Sequence, residues 1–397
     1  MTTATSSKNS DYLAPLDRPS PEAAHREPTQ IDALTGIRGF AALWVMLLHF
    51  QYYRPHGLLG APGLRQFAGD GWLAVDMFFV LSGFIMMHVH GRDFLAPTLA
   101  RARRFYSLRF IRIYPVHFVV LLLHVPVLLL ALRMGMSLSN TAFSLRSFVL
   151  SLLLLNGWGF PGSEGWNVPS WSVSSEWFAY LLFPIIAVAV QRVRSRSGAL
   201  LLGVFILAVA WFLGGIESHW SKYMLPFSGV LVRVTSEFCL GCLAYRFYTN
   251  PVGPRVAERA AEFSLAVILL VSLLALPAFF DGLMIAAFVT LVVGLSQASG
   301  PLASALKSRF AVYLGRISYS AYIVHALVLA VYSRALRMLP AKAGLVSETL
   351  IVLGFIALVI PSAHLLHARV EEPARRWLRR SWLERRQPPA DAATSIA

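Results

Sequence analysis

Apolar runs of roughly the 17 to 25 residues needed to cross a bilayer recur between positions 34 and 367, and they constrain the fold more than any other feature of the chain. Short polar, Gly/Pro or Arg-rich stretches separate them, leaving no room for a soluble domain longer than a loop. Of the 397 residues, 56% are hydrophobic and 14% charged, against about 25% charged in soluble domains. A water-soluble fold could not hide that much apolar surface. The sequence therefore predicts an all-α, polytopic integral membrane bundle of about ten transmembrane helices with one re-entrant or short helical segment.

The spans fall at 34–52, 71–89, 108–132, 173–190, 199–213, 229–247, 263–280, 283–295, 312–331 and 350–366. Residues 1–32 are rich in Ser, Thr, Pro, Ala and charge, with no apolar core before a cleavage site, and predict a disordered cytoplasmic tail. Residues 33–377 form the transmembrane domain, and 378–397 a basic, mostly disordered cytoplasmic tail.

The net charge of +15 could suggest nucleic acid. The arginines, however, cluster beside apolar runs, as in Arg101, Arg103 and Arg104 or Arg192, Arg194 and Arg196. That is how a membrane protein marks its cytoplasmic face, so the partner is the lipid bilayer and not nucleic acid. Segment 143–155 is apolar over a length short for a span. If it does not cross, the basic stretches at 92–104, 192–196, 255–259, 307–309 and 369–386 share one side; if it does, 192–196 lands opposite 101–104. The expected layout has both termini in the cytoplasm, with 143–155 dipping in from the outer side, although Arg334, Arg337 and Lys342 then lie outside. Cys239 and Cys242, the only cysteines, sit in an apolar run without redox or zinc context and predict a packed structural role.

An ionisable residue within a span is costly unless it faces protein or water, which makes each one a functional candidate. Arg38 and His49 share a face of the first span, because eleven steps of 100° end about 20° past three full turns and about 16 Å along the axis. A donor with phosphates on Arg38 and its reactive end at His49 suits that spacing; snorkelling of Arg38 and an interfacial His49 are the structural alternative. Asp76, near the outer end of the second span, is expected to hold the His49 imidazole. Ser82 and Gly83 after it suit close helix packing. Arg109 and Arg112 share a helix face and suit phosphate oxygens as well as lipid headgroups. Glu176 is expected in the first turn of its helix, capped by Ser174 or Ser175, at the depth of His49. Trp166, Trp171 and Trp177 fit an interfacial belt or a surface for a sugar ring. Tyr319, Tyr322 and His325 fall within two turns, with His325 mid-membrane. Nothing resembles metal-ligand spacing, a Walker loop, a Gly-x-Ser-x-Gly elbow or a Rossmann fingerprint.

Together these motifs resemble the acyltransferase family 3 membrane proteins. The matches are LTGIRGFAALWVMLLHF, with Arg38 and His49; GWLAVDMFFVLSGF; RFIRIYP; SWSVSSEWFAYLLFP; ISYSAYIVH; and VEEP at 370–373. They stand in order along nearly the whole chain, departing where relatives place a proline soon after the position of His325. The resemblance implies a bacterial inner-membrane enzyme that moves an acyl group, acetyl in the usual case, from cytoplasmic acyl-CoA to a hydroxyl of an extracytoplasmic or membrane-exposed acceptor such as a polysaccharide or glycan. It implies no tightly bound cofactor. It further implies that His49 is catalytic, that Arg38 meets the acyl-coenzyme A end, and that Arg109, Arg112 and Glu176 support the site; with Asp76 added from its depth, the expected catalytic set is His49, Asp76 and Glu176, the expected donor-binding set Arg38, Arg109 and Arg112, and the further candidates His325, Tyr322 and Trp171. His49 would act as general base toward the acceptor or as a nucleophile forming an acyl-imidazole; the sequence leaves both open. A secondary transporter would also carry ionisable groups in its spans, but no repeat halves with matching broken helices are visible. A non-catalytic membrane sensor or scaffold is the other alternative.

Overall fold

The structure is a computed structural model that describes residues 30–135, 143–163, 165–215, 227–274, 281–340 and 344–384. Among these it is helical, with no strand: α1 (Asp32–Tyr53), α2 (Leu64–Gly69), α3 (Leu73–His90), α4 (Leu99–Arg133), α5 (Leu145–Leu152), α6 (Ser170–Arg192), α7 (Arg196–Gly215), α8 (Phe227–Tyr248), α9 (Pro254–Leu273), α10 (Asp281–Gln297), α11 (Pro301–Leu306), α12 (Arg309–Arg337), α13 (Leu345–Leu366) and α14 (Glu372–Arg379). A lipid interior offers backbone groups no partner, so helices that satisfy themselves are what such a sequence can form. The tail expected up to residue 32 lies, through residue 29, outside the described residues. At the other end helical structure continues to Glu384.

Among the described residues, six helical stretches are long and apolar enough to cross a membrane: Asp32–Tyr53, Leu64–Phe94, Leu99–Arg133, Ser170–Arg192, Arg309–Arg337 and Leu345–Trp382. The other four predicted spans fall on α7 to α10. Two of these stretches, Arg196–Ala210 and Gly282–Gln297, are apolar but shorter. α8 carries Arg233 and Glu237 in its interior, and α9 opens on a charged turn with Arg255, Glu258, Arg259 and Glu262. α5 has eight residues, about 12 Å of helix, too short to cross a core of about 30 Å.

Two close helix pairs set the frame, both made by glycines. A Cβ on Gly36 would stand 2.0 Å from Leu306 O, and one on Gly39 2.6 Å from Leu314 Cβ, while one on Gly315 would stand 1.8 Å from Thr35 O. Only glycine permits such an approach. The paired numbers rise together along α12, Gly36 with Ala311, Gly39 with Leu314, and His49 with His325, while Leu306 ends the short α11 just before it. α1 and α12 therefore run parallel.

The second pair is α3 and α8. A Cβ on Gly83 would lie 2.0 Å from Phe238 O and one on Gly241 1.9 Å from Val80 O. Asp76 meets Arg233 at one end, and His88 meets Tyr245 and Tyr248 at the other, so this pair is also parallel. The close packing expected of Ser82 and Gly83 is present at Gly83. Cys242 is buried with its Sγ 3.4 Å from Gly83 O, and both cysteines are free thiols within the packing of α8.

The stretch after α5 folds back onto the first turns of α6. Leu154 adopts a left-handed φ of 55°. The buried carbonyl of Leu154 accepts from Ser174 Oγ at 2.5 Å, and Gly157 N donates to the same hydroxyl at 3.0 Å. His117 on α4 holds the end of α5 through Nε2 to Ser151 O at 2.8 Å.

Candidate active site

A cavity of about 160 Å³ opens among α1, α3, α4, α6 and α12, and it gathers Arg38, Arg109, Arg112, Glu176 and Tyr322 from the sequence candidates. Arg38 comes from the α1 face beside the glycine crossing. Arg109 and Arg112 come one helical turn apart from α4, as their spacing requires.

Each arginine has a different setting. Arg112 forms an ion pair with Glu371, from the turn that follows α13, and stacks over the Tyr319 ring at 5.8 Å. The other oxygen of Glu371 accepts from Ser320 Oγ at 2.7 Å. Arg109 lies 6.0 Å from the Phe105 centroid, and its buried Nε has no hydrogen-bond partner among the described residues. With Glu371 engaged behind Arg112, three guanidiniums share the lining with one carboxylate, Glu176, so the cavity suits an anion.

Glu176 departs from the expectation. The sequence predicts it in a first turn at the depth of His49; α6 instead starts at Ser170, so Glu176 stands about 9 Å from the start of the helix and joins the arginine cavity. Ser174 and Ser175 are inside the helix and bond to the preceding loop rather than capping it. Tyr180, one turn beyond Glu176, donates to Glu176 Oε1 at 2.6 Å and lies 3.0 Å from Ser82 Oγ.

His49 is half-buried at the far end of α1 from Arg38, with its Nδ1 2.9 Å from Val45 O. The His325 ring meets it edge to face, centroids 4.9 Å apart. His325 is fully buried, with Nδ1 2.6 Å from Tyr322 O. Tyr322 connects the two regions. Its ring lines the arginine cavity, lies 5.8 Å from the His325 ring, and its hydroxyl bonds Ser172 Oγ at 2.7 Å and Pro169 O at 3.1 Å.

Asp76 is a correction. The acid expected to orient His49 is buried against α8 instead, ion-paired with Arg233, which also reaches Glu237 Oε1 at 3.2 Å. The cause is the close α3–α8 crossing, which brings a full guanidinium to the carboxylate. Trp171 is half-buried with its edge toward Phe79 at 6.5 Å, and does not line the cavity.

Sequence reasoning missed Tyr180, Ser172, Arg233 and Glu237. Signals existed: Tyr180 sits four residues after Glu176, and Arg233 and Glu237 are an i, i+4 pair of opposite charge inside an apolar run. Among the described residues, no three His, Cys, Asp or Glu side chains gather as a metal site would require.

Residues 31–367 match the family described as acyltransferase domain. The chain is 29% identical over 393 residues to the acyltransferase MdmB of Streptomyces mycarofaciens, covering 91% of this chain and 95% of that protein. It is 28% identical over 271 residues to the exopolysaccharide production protein ExoZ of Rhizobium meliloti, covering 67% of this chain and 78% of the relative. A third relative, a Staphylococcus aureus protein named as a candidate O-acetyltransferase, is 21% identical over 77% of this chain and 52% of its own length. No solved structure matches the chain.

Proposed function

The chain belongs to the acyltransferase domain family, an O-acyltransferase in an apolar helical bundle, and we propose that it moves an acyl group, acetyl in the simplest case, from cytoplasmic acyl-CoA to a hydroxyl on an extracytoplasmic or membrane-exposed glycan. The observation that carries this reading is a continuous path: three guanidiniums line a cavity whose wall, Tyr322, touches His325, which touches His49. The coenzyme A phosphates would lie on Arg38, Arg109 and Arg112, and the pantetheine arm would run along α1 to His49, about 16 Å away.

His49 supplies the reactive nitrogen. A backbone carbonyl only accepts, so the contact with Val45 O fixes the neutral ring with its hydrogen on Nδ1 and its lone pair on Nε2. That nitrogen serves as base toward the acceptor hydroxyl or as nucleophile toward the thioester. In either route a hydroxyl O–H and the thioester C–S bond break, an ester C–O bond forms, and the thiolate takes up a proton. Glu176 offsets part of the positive charge of the cavity, and Tyr180 holds that carboxylate in its wall.

The proposed topology has ten crossings with both termini cytoplasmic in a bacterial inner membrane, α5 dipping in from the outer side, and 33–377 as the transmembrane acyltransferase domain. The parallel course of α1 and α12 supports it, since both are then inside-to-outside spans. ExoZ, by name a polysaccharide-production protein, supports a glycan acceptor. Mass spectrometry of surface glycans and exported metabolites from a deletion strain tests the function: loss of one acyl modification, restored by the intact gene, is expected, and an unchanged acylation profile would refute it.

A further inference from the structure

We propose that His325 is the second base of this reaction: His49 Nε2 takes the acyl group from the thioester, and His325 Nε2 takes the proton of the acceptor hydroxyl. The inference rests on the acyl-transfer reading above and adds a division of labour between two imidazoles.

Tautomers lead to it. His325 Nδ1 faces Tyr322 O at 2.6 Å, as His49 Nδ1 faces Val45 O at 2.9 Å, so in the neutral forms each ring keeps its lone pair on Nε2. The rings are 4.9 Å apart between centroids. His325 is 0% exposed, and its Nε2 has no hydrogen-bond partner among the described residues. A buried acceptor left unmet is destabilising, so a donor is expected to meet it. The hydroxyl of an acceptor substrate is a donor that would meet it.

The acyl-imidazole route needs a second base beside His49. His49 Nε2 attacks the thioester carbonyl, a C–N bond forms, the C–S bond breaks, and coenzyme A departs as thiolate. An acylated Nε2 has no lone pair, so His49 cannot then accept a proton from the incoming hydroxyl. As that oxygen attacks the acyl carbon, the C–N bond breaks, His49 regains its lone pair, and the hydroxyl proton passes to His325 Nε2. That proton then leaves to the thiolate, closing the cycle.

The test compares acceptors that need a base with one that does not. Purified wild-type and His325→Asn proteins receive acetyl-CoA with either methyl β-glucoside or hydroxylamine, a strong nucleophile at neutral pH; ester and acetate count as hydroxylic products, hydroxamate as the other. In His325→Asn, hydroxylic products are expected to fall at least about a hundredfold, the scale of general-base catalysis, and hydroxamate less than threefold. His49→Asn is expected to lose both. Equal losses on the two acceptors, or hydroxylic products within threefold of wild type, would overturn the role of His325. A wild-type protein that forms no product with any acceptor would instead overturn the acyl-CoA reading beneath it.

Discussion

Asp76 on α3 and Arg233 on α8 form an ion pair buried on both sides, with side chains 2% and 6% exposed. Glu237 joins from one turn further along α8. The group sits at the start of the α3–α8 crossing, where desolvation makes an unmatched charge far costlier than a matched one. Arg233→Met strands two carboxylates, and is expected to lower stability by about 3–5 kcal/mol. Thermal unfolding in detergent reads the effect; a melting temperature unchanged from wild type would remove the pair from the packing account.

The same crossing depends on Gly241. Its Cβ position is 1.9 Å from Val80 O, a rigid backbone atom that cannot step aside. Gly241→Ala is expected to cost at least about 1–3 kcal/mol, the range for overpacking. Gly203→Ala inside α7 serves as the control, since its Cβ position meets only Leu240 Cδ2 at 3.5 Å, an ordinary contact, and alanine favours a helix interior over glycine, so it is expected to cost nothing. Equal melting temperatures for the two variants would contradict the close approach of α3 and α8.

Much of the fold was legible because lipid imposes simple rules: length and apolarity located the helices, and Ser82 and Gly83 in LSGF marked a place of close packing, whereas Gly241 on the facing helix was not singled out. The segments that carried charge were harder, since Arg233 and Glu237 reduce the apolarity of α8 while being satisfied only by a partner distant in sequence. The candidate site was readable as a set of residue types, and its arginines did converge. Its arrangement was not. The start of α6 at Ser170, set by the loop that folds back through Leu154 and Gly157, decides where Glu176 points, and no local signal announces it. The pairing of His49 with His325 depends on the parallel register of α1 and α12, which spans most of the chain.

Topology is tested by single cysteines in a background lacking Cys239 and Cys242. Ser195→Cys and Pro161→Cys both fall at exposed positions. In intact cells an impermeant thiol reagent is expected to label position 161 and spare 195. The reverse pattern would put the loop before α6 on the cytoplasmic side and contradict the proposed orientation, in which the arginine cavity takes its donor from the cytoplasm.

Arg38 distinguishes phosphate binding from simple anchoring. Lysine retains the charge but not the bidentate fork. Acetyl-CoA affinity is expected to fall modestly in Arg38→Lys and by about tenfold to more than a hundredfold in Arg38→Ala, since a charge-assisted hydrogen bond contributes about 1.5–3 kcal/mol. Identical affinities across Arg, Lys and Ala would leave Arg38 as an interfacial anchor.

The central claim is acyl transfer through His49, and it is tested most directly by incubating purified protein with acetyl-CoA labelled in the acetyl group and following label on a hydroxylic acceptor. Wild-type protein is expected to transfer label, and His49→Ala, inserted and accumulated to the same level with donor binding retained, to transfer none above background. Equal transfer by the two proteins would contradict the account.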